Sequence, residues 1–267
     1  MHFFKCSFKC FFALVPAVLL TALPAFAQFS DSGQINNEYD MGDGSIVAWA
    51  GGVVGSAVGY QDYQDPSLGY ASYGTVNNVL GSSADIFSLG DGGSITLLLE
   101  MVLSDGPGDD FIVFENGFEY NGVFMELGFV EVSSDGSTFA RLPALCRRTT
   151  QPGPWDTSDP ADFYNLAGNF LGGTGFDLSD LVLAGHHDVL SGAVNLDAIT
   201  TLRIVDVVGD ITGPGGSVDW LGRPVADPYP TPSPSCGMDL KAVGVINTTG
   251  EVASQAASWD QVKSLFR

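Results

Sequence analysis

Residues 129–142, FVEVSSDGSTFARL, decide the fold. From Val130 to Ser133 apolar and polar side chains alternate, the period-two pattern of a strand. Ser134-Asp135-Gly136 then supplies turn chemistry, and the chain resumes as a second short strand, so the segment reads as a β-hairpin. The same grammar extends in both directions. Short apolar runs separated by Gly, Asp, Ser and Pro predict strands over 45–54, 94–102, 111–115, 124–133, 138–142, 201–208 and 240–247. With 34 Gly and 14 Pro in 267 residues, the chain favours turns over long helices. Helical periodicity is expected only at the end, where Trp259, Val262 and Leu265/Phe266 recur and Ser258 with Gln261 forms a capping-box pattern. That end is either a docked amphipathic helix or a sorting tail. The expected architecture is all-β, a sandwich with long loops over 59–82, 147–180 and 209–235 and a short C-terminal helix.

The first 27 residues read differently from the rest. Lys5 and Lys9 precede an apolar run from Phe11 to Leu23, and Ala25-Phe26-Ala27 gives a small-x-small cleavage pattern. This is the pattern of a secretory signal peptide, and its apolar run is shorter than a membrane span needs. The expected organisation is a signal peptide over 1–27, one β-sandwich domain over 28–248 and a tail over 249–267. A secreted or cell-surface location follows, with no membrane-spanning segment after cleavage. Cys6 and Cys10 leave with the leader, so Cys146 and Cys236 remain, and their simplest use in an oxidising compartment is one disulfide.

Charge narrows the partners. The chain carries 31 acidic and 10 basic residues, a net charge of −21, and the leader removes two lysines and no acid. So acidic a surface repels phosphate backbones, which argues against nucleic acid. The strand pattern also places acids where they are hard to keep ionised. Asp206 shares a row with Leu202 and Ile204, Glu115 with Phe111 and Val113, and Glu126 with Phe124, Val130 and Val132. A carboxylate in such a row needs a metal, an arginine, several N–H donors or a proton. The turn Ser104-Asp105-Gly106-Pro107-Gly108-Asp109-Asp110 offers further oxygens just before Glu115. Asp105, Asp110, Glu115 and Asp206 are therefore candidate calcium ligands, since calcium takes six to eight hard oxygens. The alternative for the turn residues is plain turn formation, and EF-hand spacing is absent.

Catalytic patterns are thin. His186 and His187 are adjacent, and no HExxH, GxSxG or phosphate loop is present. Paired acids for glycoside hydrolysis carry no weight in a chain where acids are everywhere. The aromatic residues Tyr60, Tyr63, Tyr70 and Tyr73, with Trp155, are candidates for a contact surface that stacks on sugar rings or a partner. Packing over an open end of the sandwich is the competing use.

FIVFENGF (111–118), MELGFVEVSSDGSTFARLP (125–143), LRIVDVVGD (202–210) and DPYPTPSPSCGMDLKAVGVIN (227–247) together resemble the bacterial "cell surface protein" family, whose members are similar to galactose-binding-like (discoidin-like) jelly rolls. NLAGN (165–169) and GTGFDLSDL (173–181) fit the same resemblance. It implies a jelly-roll sandwich, secretion, and a calcium site joined by an acid of the closing strand, here Asp239. The function expected from all of this is calcium-stabilised, non-catalytic recognition of a glycan or surface polymer. The alternative is an accessory surface protein that binds a protein partner, with a hydrolase third.

Overall fold

The computed structural model describes residues 29–119 and 121–251. The expected signal peptide over 1–27 and the expected C-terminal helix lie outside these residues. Eight strands carry the architecture: β1 (Ala48–Ala57), β2 (Ser94–Leu103), β3 (Phe111–Glu115), β4 (Gly128–Ser133), β5 (Leu166–Ala167), β6 (Gly173–Phe176), β7 (Ile199–Asp206) and β8 (Asp239–Val245). They belong to one twelve-stranded antiparallel sheet that curls over itself. One half runs β1-β8-β3-β6 and the other β2-β7-β4-β5, and β1 pairs with both β8 and β2 to join them. Short strands extend the edges: Glu38–Tyr39 on β6, Phe87–Ser88 on β8, Ala140–Arg141 on β4 and Thr248–Glu251 on β2.

Alternation explains how the halves face one core. In β2, Ile95, Leu97, Leu99 and Leu103 are buried while Leu98 and Glu100 point outward. These residues meet Leu202 and Ile204 of β7, Val130 and Val132 of β4, and Phe111, Val113, Leu240 and Val243 from the other half. β3 is buried on both faces, because Ile112 and Phe114 pack under Tyr39, Met41, Ile46 and Trp49 of the N-terminal segment. A run buried on both sides loses alternation, and FIVFE duly reads as continuous apolar. The hairpin of 129–142 forms as β4 paired with Ala140–Arg141. Asp135 accepts N–H bonds from Ser137 and Thr138, and Gly136 takes the positive φ (73°) of its turn.

Three expectations are corrected. The segment 147–180 is not one long loop: β5 and β6 lie within it, together with Phe163–Tyr164, which pairs with Leu145–Cys146. Two short helices, Ser179–Leu183 and His187–Leu190, precede the described C-terminus, so His186 and His187 sit at a helix start. Helices of five and four residues are too short for propensity to declare; packing of Leu178 and Leu181 holds the first, and partly buried Val189 rests the second on the core. The disulfide is absent: Cys146 and Cys236 are both free and buried. Cys146 lies beside Ala226 and Arg148, whereas Cys236 directs its Sγ at the Tyr60 carbonyl, so each thiol is consumed by its own neighbourhood.

β6 was not legible as a strand, so it gives the sharpest test of this architecture. Phe176 is fully buried and its ring stacks on Phe111 at 5.1 Å. Phe176→Ala is expected to cost about 3–5 kcal/mol in urea unfolding, while Leu98→Ala, on the exposed face of β2, is expected to stay within about 1 kcal/mol.

Candidate binding recess and its acidic floor

Strand register delivers several acids to one end of the curled sheet. Glu115 ends β3 and lies opposite Leu240, next to Asp239 at the start of β8. Asp206 ends β7 opposite Gly128, the first residue of β4, with Glu126 just upstream. Asp91 and Asp227 complete the row. Glu115, Glu126, Asp206, Asp227 and Asp239 are all buried. Among the described residues no ion pair involves any of the six, because the arginines are engaged elsewhere: Arg141 and Arg203 hold Glu131, while Arg147 and Arg223 hold Asp31, and Arg223 also holds Asp219.

The acids differ in how they are satisfied. Asp206 accepts from Met238 N at 2.6 Å and from Gly92 N at 2.9 Å, which stitches β7 to the approaches of β2 and β8. Burial nevertheless pushes its carboxyl well above the usual range, and the charges of Asp91 and Asp239 push it further. Asp227 accepts from Leu127 N, and burial and then Asp206 raise it well above its ordinary value. Asp239 accepts the Ser88 hydroxyl proton, yet burial lifts it to about 6. Asp91 accepts from Tyr63 N and is likewise lifted to about 6 by burial. Glu115 is raised by burial and then by Asp239. Its Oε2 is buried with no hydrogen-bond partner. Glu126 is raised by burial and then by Glu115 and Asp239.

Above this floor lies a recess of about 190 Å³ lined by Asn116, Phe118, Phe124, Glu126, Trp155, Thr231, Ser233, Ser235 and Asp239. Three rings form one wall: Phe118 stacks on Phe124 at 4.8 Å, and Trp155 tilts against Phe124 at 5.7 Å. Trp155 is 65% exposed, so one face of a large indole is offered to solvent over a carboxylate floor. A second recess of about 420 Å³, lined by Tyr73, Gly74, Asn78, Ala84, Asp85, Ile86 and Asn116, adjoins the first through Asn116.

The expected site residues therefore fall into separate places. Glu115 and Asp239 meet at the acidic floor, with Asp206 farther along the row. Asp105 and Asp110 lie on the β2–β3 turn and are joined by Asp177, which the sequence did not single out; an oxygen from each lies within 4.8 Å of the others. Asp110 is already well provided, accepting from Gly106 N, Leu178 N and Asn247 Nδ2. Of the aromatics, Trp155 and Tyr73 line the two recesses. Tyr60 and Tyr70 stack on each other at 4.5 Å, and the Tyr63 hydroxyl donates to Asp210 while its ring leans on Tyr229. Phe118, Glu126 and the Thr231–Ser235 hydroxyls escaped attention as a site because DPYPTPSPS reads as linker, and Glu126 reads only as one more buried acid.

These acids fix the sign of the pH dependence without metal. Groups with raised folded-state pKa hold protons that the unfolded chain has released, so stability falls as pH rises from about 4 through about 6 and beyond. Asp239 alone contributes on the order of 3 kcal/mol to that fall. Asp210, held at about 2 by the hydrogen bonds of Tyr63 and Thr212 against the cost of its burial, contributes stability that is lost below pH 4. Thermal unfolding in EDTA is therefore expected to peak near pH 4, and Glu126→Gln is expected to flatten the loss toward pH 7.

No protein-family model, curated protein or solved structure matches this chain.

Proposed function

We propose that this chain is a secreted or cell-surface binding module that recognises a glycan or surface polymer without catalysis and is stabilised by calcium. The observation that carries this reading is the recess under Trp155. An exposed indole beside side-chain oxygens and hydroxyls is the combination that binds sugars: the ring stacks on the apolar face of a pyranose while polar groups fix its hydroxyls. The neighbouring recess with Tyr73 on its wall supports an extended ligand, since Asn116 is common to both. The fold proposed for the module is a jelly roll. Its support is the strand order, β1-β8-β3-β6 against β2-β7-β4-β5, in which eight antiparallel strands divide into two four-stranded halves of the curled sheet.

Calcium has its best-supported place at Asp105, Asp110 and Asp177. Three carboxylate oxygens within 4.8 Å of one another on adjoining turns are a hard donor set of the kind calcium takes, with carbonyls and water completing the shell. The ion would neutralise three like charges and pin the β2–β3 turn to the segment after β6.

Two measurements test the proposal. On a glycan array the protein is expected to bind a defined set of glycans, and Trp155→Ala to lower that binding at least tenfold while Tyr63→Ala leaves the specificity unchanged. Capture of a surface protein with no glycan bound would favour the accessory-protein alternative instead. In thermal unfolding, calcium at 100 times its dissociation constant is expected to add about 2.7 kcal/mol, or ~5–10 °C for a domain of this size, over EDTA. Magnesium is expected to do less, and Asp177→Asn to abolish the calcium shift.

A further inference from the structure

The recess has a chemical polarity that the glycan reading leaves open. Glu126 is 7% exposed, and among the described residues no hydrogen bond or ion pair engages its carboxylate, which faces the recess. Asp239 lines the same recess with a serine hydroxyl as its partner. Glu115, with its unpartnered Oε2, stands behind them as a further buried acid. No arginine or lysine lines the recess, and Lys241, two residues along β8 from Asp239, lies near Glu115. Burial disfavours ionisation of these acids, so an entering cation takes the place of their protons and pairs with the carboxylates, an exchange that an anion does not offer, and the low-dielectric walls strengthen the pairing.

Size restricts the cation. At about 190 Å³ the recess is smaller than the ~300–1,000 Å³ typical of sites that enclose a whole ligand. It takes one substituent while the body of the ligand stays outside against Trp155. The exposed indole also favours a cationic ligand, because a positive group over its face is attracted by the ring quadrupole.

We propose that the recess binds the protonated amine of an amino sugar, so that the polymer recognised is one bearing free amines, with the ammonium between Glu126 and Asp239 and the ring carrying it stacked on Trp155. This inference rests on the glycan reading and narrows its ligand class. The ammonium donates three hydrogen bonds, for which Glu126 and Asp239 supply carboxylate acceptors, and Thr231 lines the same recess with its hydroxyl. An N-acetyl group presents no charge and only one donor, and it leaves the carboxylates uncompensated. Sulfated and uronic acid sugars are excluded by repulsion.

The test titrates the whole protein, in EDTA and at physiological salt, with a β-1,4-linked glucosamine hexasaccharide and with its fully N-acetylated counterpart. The amine form is expected to bind at least tenfold more tightly. Glu126→Gln is expected to remove that preference while the variant unfolds at the same or a higher temperature, and Asp239→Asn serves as an independent second variant. Equal affinity for the two oligosaccharides, or preference for the acetylated one, overturns the inference and leaves the glycan reading standing. Binding of neither, with no array hit, overturns both. A Glu126-dependent affinity for calcium alone, or for a lysine-rich peptide with no affinity for the amine oligosaccharide, also overturns it, since the recess would then serve a metal or a protein partner.

Discussion

The constraint on which the rest depends is a chain that buries carboxylates without enough bases to neutralise them. Four arginines are spent on Glu131, Asp31 and Asp219, at places away from the recess. The remaining buried acids must be satisfied by backbone N–H groups, by protons or by cations from outside. The first solution is used widely. Asp206 holds the start of β8 to the turn before β2, Asp110 holds the β2–β3 turn to the segment after β6, and Asp180 accepts from Asn165 and Tyr164. In a fold with so many loops, these carboxylates do what arginine clusters or disulfides do in many other domains. They tie connections to strands at several points, and each tie orders backbone that would otherwise cost conformational entropy.

The curled sheet makes this constraint local. Antiparallel pairing brings the end of β3 beside the start of β8, and the end of β7 beside the start of β4. Acids that close one strand therefore stand next to acids that open or precede another. Nothing in any single strand demands this crowding; it follows from register. The aromatic wall arises in the same way, because Phe118 and Phe124 belong to a two-stranded ribbon between β3 and β4 that rises over that end of the sheet. The recess is thus assembled from connections whose positions the core sets, which is how rigid scaffolds usually present binding groups.

How much was legible in the sequence follows from range. Strands with clean alternation or continuous apolar character, such as β2, β3 and β7, announce themselves because their burial depends on their own residues. The burial of Asp206 and Glu115 was readable for the same reason. β5 and β6 were not, since LA is only two residues and GTGF is half glycine, and they become strands only because β4 and β3 offer edges to pair with. The two thiols looked like a pair by elimination, but proximity is a property of the fold and not of a count. Tyr63 looked like a contact residue because tyrosines among glycines suggest exposure, whereas Asp210, 147 positions away, takes its hydroxyl. Asp177 and Glu126 joined their sites only through long-range packing.

Partner count separates the architectural acids from those that face a ligand. Asp110 and Asp206 are raised by burial much as Glu126 is, so burial alone does not distinguish them. Asp110 has three donors and Asp206 two, and removing either carboxylate would orphan backbone N–H groups in the core. Glu126 has none among the described residues, so its removal would orphan nothing and would relieve repulsion with Glu115 and Asp239. A side chain whose presence costs stability and supports no neighbour is what the proposed amine site requires. The same logic applies to Trp155, whose indole leaves most of its area in water although Phe124 could have been covered by a smaller group. Both residues face one small recess, and their chemistries, a carboxylate and a π surface, are the two that favour an organic cation.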